Sequence, residues 1–187
     1  MLNNTEIPLS KSLKYLGVII DSRLNFVEHI NKIITKGSQT ASILYPLLHQ
    51  KSKLTLKNKT LLYKQVIRSQ ISYAAPIISQ TSKKTIAKLQ TFQNKILRRM
   101  IRPPWYVRNS QIHANLQIET VQQFVSKLHE KFKTRVLNHP NPLIKDTFSQ
   151  TIPNPRYLTP TSLMADPPGI TRLRQVFPDI PNLLEST

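Results

Sequence analysis

The sequence contains no cysteine, and its apolar runs are short. Without thiols the chain has no disulfides and cannot build the zinc sites that need thiolate ligands. Serine, tyrosine and proline interrupt the apolar stretch from residue 71 to residue 78, which is far shorter than the roughly 18 apolar residues of a membrane span. We therefore expect an intracellular protein, in the nucleus or the cytoplasm, with no membrane partner.

Acidic residues are also scarce. The chain has 9 Asp and Glu against 27 Lys and Arg, which gives a formal net charge of +18. No acidic residue lies between Glu28 and Glu119, although Lys and Arg are frequent there. A segment of one charge sign repels itself unless anions neutralise it, so this pattern favours nucleic acid as the partner. The alternative is a basic surface that only water and salt solvate, but such surfaces usually intersperse both signs.

The few glycines, histidines and carboxylates exclude several kinds of active site. Gly17, Gly37 and Gly169 are too far apart to form a glycine-rich phosphate loop. The acidic residues form no paired motif that would hold a catalytic metal, and the histidines do not occur at ligand spacing with a second donor. We therefore predict no catalytic residues, no metal ligands and no cofactor in this chain.

The apolar pattern predicts a mainly α-helical bundle preceded by a small β-hairpin. Residues 7–9 and 13–20 look like two strands joined by a short polar turn. Apolar residues at steps of three and four then predict five helices, which begin near Asn25, Thr55, Ser82, Ser110 and Thr120. Pro46 predicts a bend in the first of these helices.

Capping residues and prolines divide the chain further. Asn25 with Glu28, and Thr120 with Gln123, predict capping boxes at the first and last helix. Most of the 14 prolines lie from Pro140 onward, where no helical or strand period persists. The predicted parts are a β-hairpin in residues 1–24, a helical domain in 25–139, and an extended or disordered proline-rich tail in 140–187.

The predicted helix that begins near Ser82 separates apolar from basic side chains. Its apolar residues recur at helical spacing from Ile86 to Ile101. At about 100° per residue, five cations project from the opposite face within roughly 60° of one another, namely Lys84, Lys88, Lys95, Arg99 and Arg102. This row predicts contacts with a phosphate backbone, which select shape rather than base sequence.

Trp105 and Tyr106 follow the basic helix directly. Either ring could stack on a base or a sugar of bound nucleic acid. For Trp105, the only tryptophan in the chain, we expect instead a core position that closes the bundle. For Tyr106 both interpretations stay open, and it is included among the candidate binding residues.

Gly17 stands in the middle of the predicted strand 13–20. A missing Cβ permits either a bulge in the strand or the close approach of another backbone, including that of a nucleic acid. The sequence leaves both explanations open. Tyr15 lies on the same strand face as Gly17 and Lys14 on the other, so the site contains an aromatic ring and a cation.

These segments resemble a known family. "SLKYLGVIIDSRLNFVEHINKI" is similar to the segment after the palm in reverse transcriptases of non-LTR retrotransposons of the jockey and LINE type, where K-Y-L-G-[VI]-x-[IL]-D precedes L-x-[WF]-x-x-H-[IV]. "LLYKQVIRSQISYAAPII", "LQTFQNKILRRM" and "PPWYVRNSQIHANL" follow in the family's order, so the resemblance covers roughly residues 5 to 140. One departure is Ile78, where the family usually has an aromatic residue.

The resemblance implies a role in holding nucleic acid. The K-Y-L-G hairpin would be the primer grip, with Lys14, Tyr15, Leu16 and Gly17 near the primer strand, and the helices would form the thumb that clamps the template-primer duplex. The partners would be an RNA–DNA or DNA duplex, contacted through its backbone, and the palm domain. In the family the palm lies upstream and binds Mg²⁺ through aspartates that this chain does not contain.

The resemblance therefore implies a fragment of an RNA-directed DNA polymerase that is inactive alone. Two alternatives remain. The chain could be a standalone protein that binds nucleic acid without sequence preference, or the product of a truncated element without function.

Overall fold

The computed structural model describes residues 10–149. The predicted strand 7–9 and the tail from residue 150 onward lie outside the described residues. The elements, in chain order, are β1 (Ser12–Tyr15), β2 (Val18–Asp21), α1 (Val27–Ile43), α2 (Tyr45–Leu48), α3 (Leu56–Leu62), a π-helical segment (Tyr63–Ile67), α4 (Arg68–Ser72), α5 (Ala75–Ser79), α6 (Lys83–Ile101), α7 (Asn109–Leu116), α8 (Val121–Leu137) and α9 (Pro142–Ser149). The prediction of a mainly helical fold with a small N-terminal hairpin is confirmed.

The described residues form two compact units. The first contains residues 10–74 and 81–124, and the second contains residues 75–80 and 125–149. Ile78, Val125, His129 and Val136 are buried in the second unit, where the Ser79 hydroxyl lies 3.1 Å from Nδ1 of His129. All candidate binding residues lie in the first unit. The predicted limits at residues 24 and 139 stay a prediction.

The hairpin turns at a different place from the one predicted. β1 and β2 are antiparallel, and Tyr15 pairs with Val18, so Leu16 and Gly17 form a two-residue loop. Both residues have positive φ, 44° and 83°, as the central residues of a type I′ turn do. The prediction of one strand from residue 13 to residue 20 is therefore wrong, because the chain reverses at Leu16 and Gly17.

The side chain of Asp21 organises the start of α1. Its carboxylate accepts hydrogen bonds from the backbone N–H groups of Arg23, Asn25 and Phe26, at 3.0, 3.0 and 2.7 Å. Phe26 occupies the N-cap position in a left-handed conformation and is buried. The capping box predicted for Asn25 and Glu28 is therefore wrong, since a carboxylate at the end of β2 binds the N–H groups that precede the helix.

The middle helices follow the predicted pattern with local changes. The first predicted helix breaks at Leu44 into α1 and α2, and Pro46 lies in the first turn of α2, where its missing N–H costs little. The Thr55 hydroxyl accepts from Asn58 N–H and caps α3. The π-helical segment buries Tyr63 completely, and burial raises the pKa of this phenol to about 12.

Helix α6 is confirmed, with Ser82 as its N-cap. Its apolar face is buried at Leu89, Phe92 and Leu97, and it packs against α1 and α7. A Cβ on Gly37 of α1 would lie 2.7 Å from the ring of Phe92, so the crossing of α1 and α6 requires glycine there.

The last two helices, α8 and α9, begin at local capping residues. Thr120 and Gln123 form the predicted capping box of α8, with Thr120 N–H donating to Gln123 at 3.0 Å and Gln123 N–H donating to Thr120 at 3.3 Å. Residues 142–149 form α9 where an extended or disordered chain is expected, so that prediction is wrong for these residues. Asn141 accepts from Leu143 N–H at 3.0 Å and Pro142 occupies the first helical position, which together start a helix.

Candidate nucleic-acid interface

The five cations of the predicted row are all exposed; four lie within α6, whereas Arg102 follows the helix as its C-cap in a left-handed conformation. Lys84 stands in the first turn and Arg99 in the last turn, and a helix rises about 1.5 Å per residue, so the row extends over about 22 Å. The remaining members are Lys88, Lys95 and Arg102. Among residues 10–149, none of the five forms a salt bridge. We name this set the α6 basic row.

The direction of the α6 basic row is fixed by the opposite side of the helix. Leu89 and Leu97 are fully buried there, so α6 cannot rotate without exposing its apolar face. Cations at the C-terminal end of a helix also interact favourably with the helix dipole. Arg99, in the last turn, is therefore favourably placed. The charges are therefore presented on a rigid support.

Arg98 differs from the α6 basic row because its guanidinium donates hydrogen bonds to other residues of the protein. Its Nε donates to Oδ1 of Asn109 at 2.8 Å, and its Nη2 donates to the carbonyl oxygen of Val107 at 2.6 Å. These two bonds connect the last turn of α6 to Val107 in the loop of residues 102–108 and to Asn109 at the start of α7. Arg98 therefore positions that loop.

The same loop carries Trp105 and Tyr106 on its outside. The side chain of Trp105 is 91% exposed and that of Tyr106 is 68% exposed, with ring centres 6.0 Å apart and planes 82° apart. The expectation that Trp105 closes the core is therefore wrong. Helix α6 packs against α1 and α7, and buried side chains of these helices, among them Ile33, Ile112 and Leu116, form the core without the indole ring.

Gly17 packs against the ring of Tyr73. An added Cβ would lie 3.3 Å from the Tyr73 ring, and the hydroxyl of Tyr73 donates to the carbonyl oxygen of Leu16 at 2.7 Å. Of the two explanations left open by the sequence, the bulge is wrong, because Gly17 lies in the turn between the strands, and the approach of a nucleic-acid backbone stays a prediction. Gly17 is required by positive φ in the turn and by the close approach of a tyrosine ring from α4's C-terminal end.

A basic cleft lies beside this turn, with a volume of about 410 Å³. Lys14 and Gly17 of the hairpin, Lys32 and Lys36 of α1, and Tyr73 line it. The structure therefore brings two of the four predicted hairpin residues together with two lysines that the sequence interpretation did not select. Their spacing of four residues on an amphipathic helix is the signal that could have found them.

The other two hairpin residues are exposed at the tip. Tyr15 is 61% exposed and Leu16 is 74% exposed, and neither lines the basic cleft. Within the described part of the chain, no hydrogen bond or salt bridge joins the four hairpin residues to the α6 basic row. The candidate interface therefore consists of two separate basic sets in the first unit.

His29 lines the basic cleft and is buried. Its Nδ1 accepts from Ile19 N–H at 3.4 Å, so a proton on Nδ1 would break this bond. Burial, and to a lesser extent the charge of Lys32, lowers the pKa of His29 below its ordinary value of 6.5. The folded protein therefore keeps His29 neutral.

This lowered pKa predicts a loss of stability in acid. The unfolded chain takes up a proton at His29 near pH 6.5 and the folded chain only at lower pH, so the free energy of unfolding falls as the pH drops below about 6.5. Urea titrations between pH 7.5 and 5 of the native chain and of His29→Asn measure this effect. We expect a shallower fall in the variant, and identical slopes would contradict the assignment to His29.

The left-handed backbone conformation of Leu16 predicts that a substitution at this position stabilises the protein. A left-handed conformation costs a leucine roughly 1–2 kcal/mol, whereas asparagine adopts it readily in type I′ turns. Because Leu16 is 74% exposed and its bond to Tyr73 uses the backbone carbonyl, Leu16→Asn loses little packing. We expect its free energy of unfolding to rise by about 1 kcal/mol, measured by urea denaturation. A lower stability would mean that the exposed side chain packs on the protein.

Comparisons with known proteins point to one kind of enzyme. The chain is 32% identical over 142 residues to the "Probable RNA-directed DNA polymerase from transposon X-element" of Drosophila melanogaster, a match that covers 76% of this chain and 16% of that protein. It is 28% identical over 144 residues to the "RNA-directed DNA polymerase from mobile element jockey" of Drosophila funebris, covering 77% of this chain and 16% of that protein. The jockey polymerase of Drosophila melanogaster is 27% identical over 186 residues, covering 98% of this chain and 19% of that protein.

The chain thus spans less than a fifth of the length of the curated relatives it matches. No family model matches it, and no solved structure matches it. The resemblance found in the sequence motifs is confirmed at the level of the family, because these relatives are RNA-directed DNA polymerases of mobile elements.

Proposed function

We propose that this chain, which is related in sequence to a segment of retrotransposon RNA-directed DNA polymerases, holds the template-primer duplex for such a polymerase. The observation that carries the proposal is the α6 basic row. It comprises five exposed cations, four of which are fixed in direction by α6, and none of them forms a salt bridge within residues 10–149. Such a row fits the regular negative charge of a nucleic-acid backbone.

The dimensions of the α6 basic row agree with this partner. Phosphates on one strand of B-DNA are about 3.4 Å apart along the axis, so a row of about 22 Å runs beside roughly six of them. Backbone contacts read no base sequence, which suits a polymerase that must hold any template. An RNA–DNA hybrid and a DNA duplex both present such a backbone.

In this proposal the hairpin and the basic cleft hold the primer strand. Lys14, Lys32 and Lys36 place three ammonium groups around the cleft beside the Leu16–Gly17 turn. Tyr15 and Leu16 present exposed apolar surface at the tip, which suits contact with a sugar or with a neighbouring domain. These roles correspond to the primer grip and thumb that the sequence motifs imply.

The described residues do not fit the catalytic metal site of such a polymerase. Among residues 10–149, no three side chains of the types His, Cys, Asp and Glu come together. No catalytic step is therefore assigned to them, and Mg²⁺ would be bound by a palm domain. The same part of the structure contains no helix long and apolar enough to cross a membrane.

The proposal is tested by fluorescence anisotropy with labelled 20-base-pair duplexes in a salt series. If Lys14 and the five cations of the α6 basic row each neutralise one phosphate, the slope of log affinity against log salt is about −5. Affinity should then fall about 1,000-fold between 50 and 200 mM salt, for hybrid and DNA duplexes of unrelated sequence alike. No binding at low salt, or binding that ignores salt, would contradict the proposal.

A standalone nucleic-acid-binding protein is the second candidate function. The exposed apolar side chains of β1 favour the polymerase segment instead, because Leu13 is 62% exposed and Tyr15 is 61% exposed on a strand that a palm domain would cover. Co-expression with a palm fragment of a related polymerase distinguishes the two. Stable co-purification and primer extension support the polymerase segment, whereas binding of duplex without either supports the standalone protein.

A further inference from the structure

Trp105 and Tyr106 form an exposed aromatic pair on the loop after α6. The proposed contacts with the nucleic-acid backbone give this pair no role. An indole that is 91% exposed and a phenol that is 68% exposed leave a large apolar area in water. The loop beneath them is stiff, because Pro103 and Pro104 restrict it and Val107 N–H closes a turn on the Pro104 carbonyl at 3.1 Å. The backbone that carries the two rings is therefore restricted.

The surroundings of the pair are cationic. Arg102 is the first residue of the loop, in a left-handed conformation directly after α6, and Arg108 is its last residue; both are exposed. The acid-free stretch of the sequence from Glu28 to Glu119 includes the whole loop. Flat rings beside guanidinium groups are the combination that binds single-stranded nucleic acid, in which bases stack on the rings and cations contact the phosphates.

We propose that Trp105 and Tyr106 stack on unpaired bases next to the duplex that the α6 basic row holds. This inference rests on the proposed function and extends it from the phosphate backbone to the bases. The occupant is a single-stranded extension of the template or primer. Stacking accepts any base, so the loop adds affinity for a junction between single and double strand without adding sequence preference.

A membrane surface is the competing occupant of an exposed aromatic and basic loop. Interfacial helices insert an apolar face into lipid, but the apolar face of α6 is buried at Leu89 and Leu97 inside the protein. One indole and one phenol then remain as apolar groups, flanked by guanidinium groups. We therefore favour nucleic acid and make lipid binding an outcome of the experiment.

The full chain contains one tryptophan, so its intrinsic fluorescence reports on Trp105 alone. The probes are a 16-base-pair duplex with a six-thymidine overhang, the same duplex with six abasic sites in place of the thymidines, and anionic phosphatidylserine vesicles. The two duplexes carry equal backbone charge and differ only in their unpaired bases. We expect the thymidine overhang to quench the fluorescence and to bind about 5- to 100-fold more tightly than the abasic overhang.

The double variant Trp105→Ala/Tyr106→Ala should bind both duplexes equally, with the salt slope unchanged and the helical circular dichroism and melting temperature of the native chain. Tyr45→Ala is the matched control, since Tyr45 is an exposed aromatic residue of α2, and it should keep the preference for thymidine. Equal binding of both overhangs by the native chain, or a fluorescence change with vesicles only, would overturn the inference while duplex binding still supports the proposed function. No binding of either duplex would overturn the proposed function itself.

Discussion

Replacing Lys84, Lys88 and Lys95 with glutamine is expected to weaken duplex binding by about two orders of magnitude at 0.1 M salt. Each lysine that neutralises a phosphate contributes about 0.9 to the slope of log affinity against log salt, so the slope should become less steep by about 2 to 3. All three side chains are exposed on one side of α6, and glutamine keeps a high helix propensity. Anisotropy titrations in a salt series measure both quantities.

The control for this variant removes the same charge elsewhere. Lys51, Lys53 and Lys57 are exposed, and they lie before and at the start of α3 rather than on the α6 basic row. Their replacement with glutamine should change the slope by less than 1. If both triple variants lose affinity equally, net charge rather than the α6 basic row determines binding, and the assignment of the row is wrong.

The second large effect is expected at the turn of the hairpin. Gly17→Val should lower the free energy of unfolding by about 3 kcal/mol, because valine is strained at positive φ and its side chain would press on the Tyr73 ring. The native φ is 83°, and even a Cβ alone would lie 3.3 Å from that ring. Urea denaturation measures the loss.

Two further variants separate the causes of this loss. Gly17→Asn tolerates positive φ and should lose about 1 kcal/mol, the part that comes from contact with Tyr73. Tyr73→Phe removes the hydrogen bond to the Leu16 carbonyl but keeps the ring, and should cost about 1 kcal/mol. A Gly17→Val protein as stable as the native chain would show that the turn opens freely.

The sequence predicted helices well where apolar spacing was regular. In α6, the buried residues Leu89, Phe92 and Met100 recur at helical spacing, and Ser82 marks the start. The capping box of Thr120 and Gln123 could also be predicted, because its two partners lie within four residues of each other in the sequence. Such features depend on neighbours in the chain, which is why sequence alone is sufficient for them.

The sequence did not reveal which of several local signals is used. Asn25 was predicted to start α1 with a capping box, but the Asp21 carboxylate at the end of β2 binds the N–H groups before this helix. Likewise, the turn at Leu16 and Gly17 has the length of a hairpin loop, but a leucine at its first position gives no type I′ signal. In both cases the outcome depends on contacts that form after the strands pair.

By itself, the sequence determined the separation of charge from apolar surface, and with it the α6 basic row. Only the tertiary structure decided what surrounds the hairpin and the aromatic loop. Tyr73 reaches Leu16 across 57 residues of sequence, and Lys32 and Lys36 join Lys14 in one cleft. Trp105 is exposed on the loop after α6, where the sequence predicted a core position. Periodicity records which face of a helix is apolar, but the partner that covers that face is chosen by packing between distant segments.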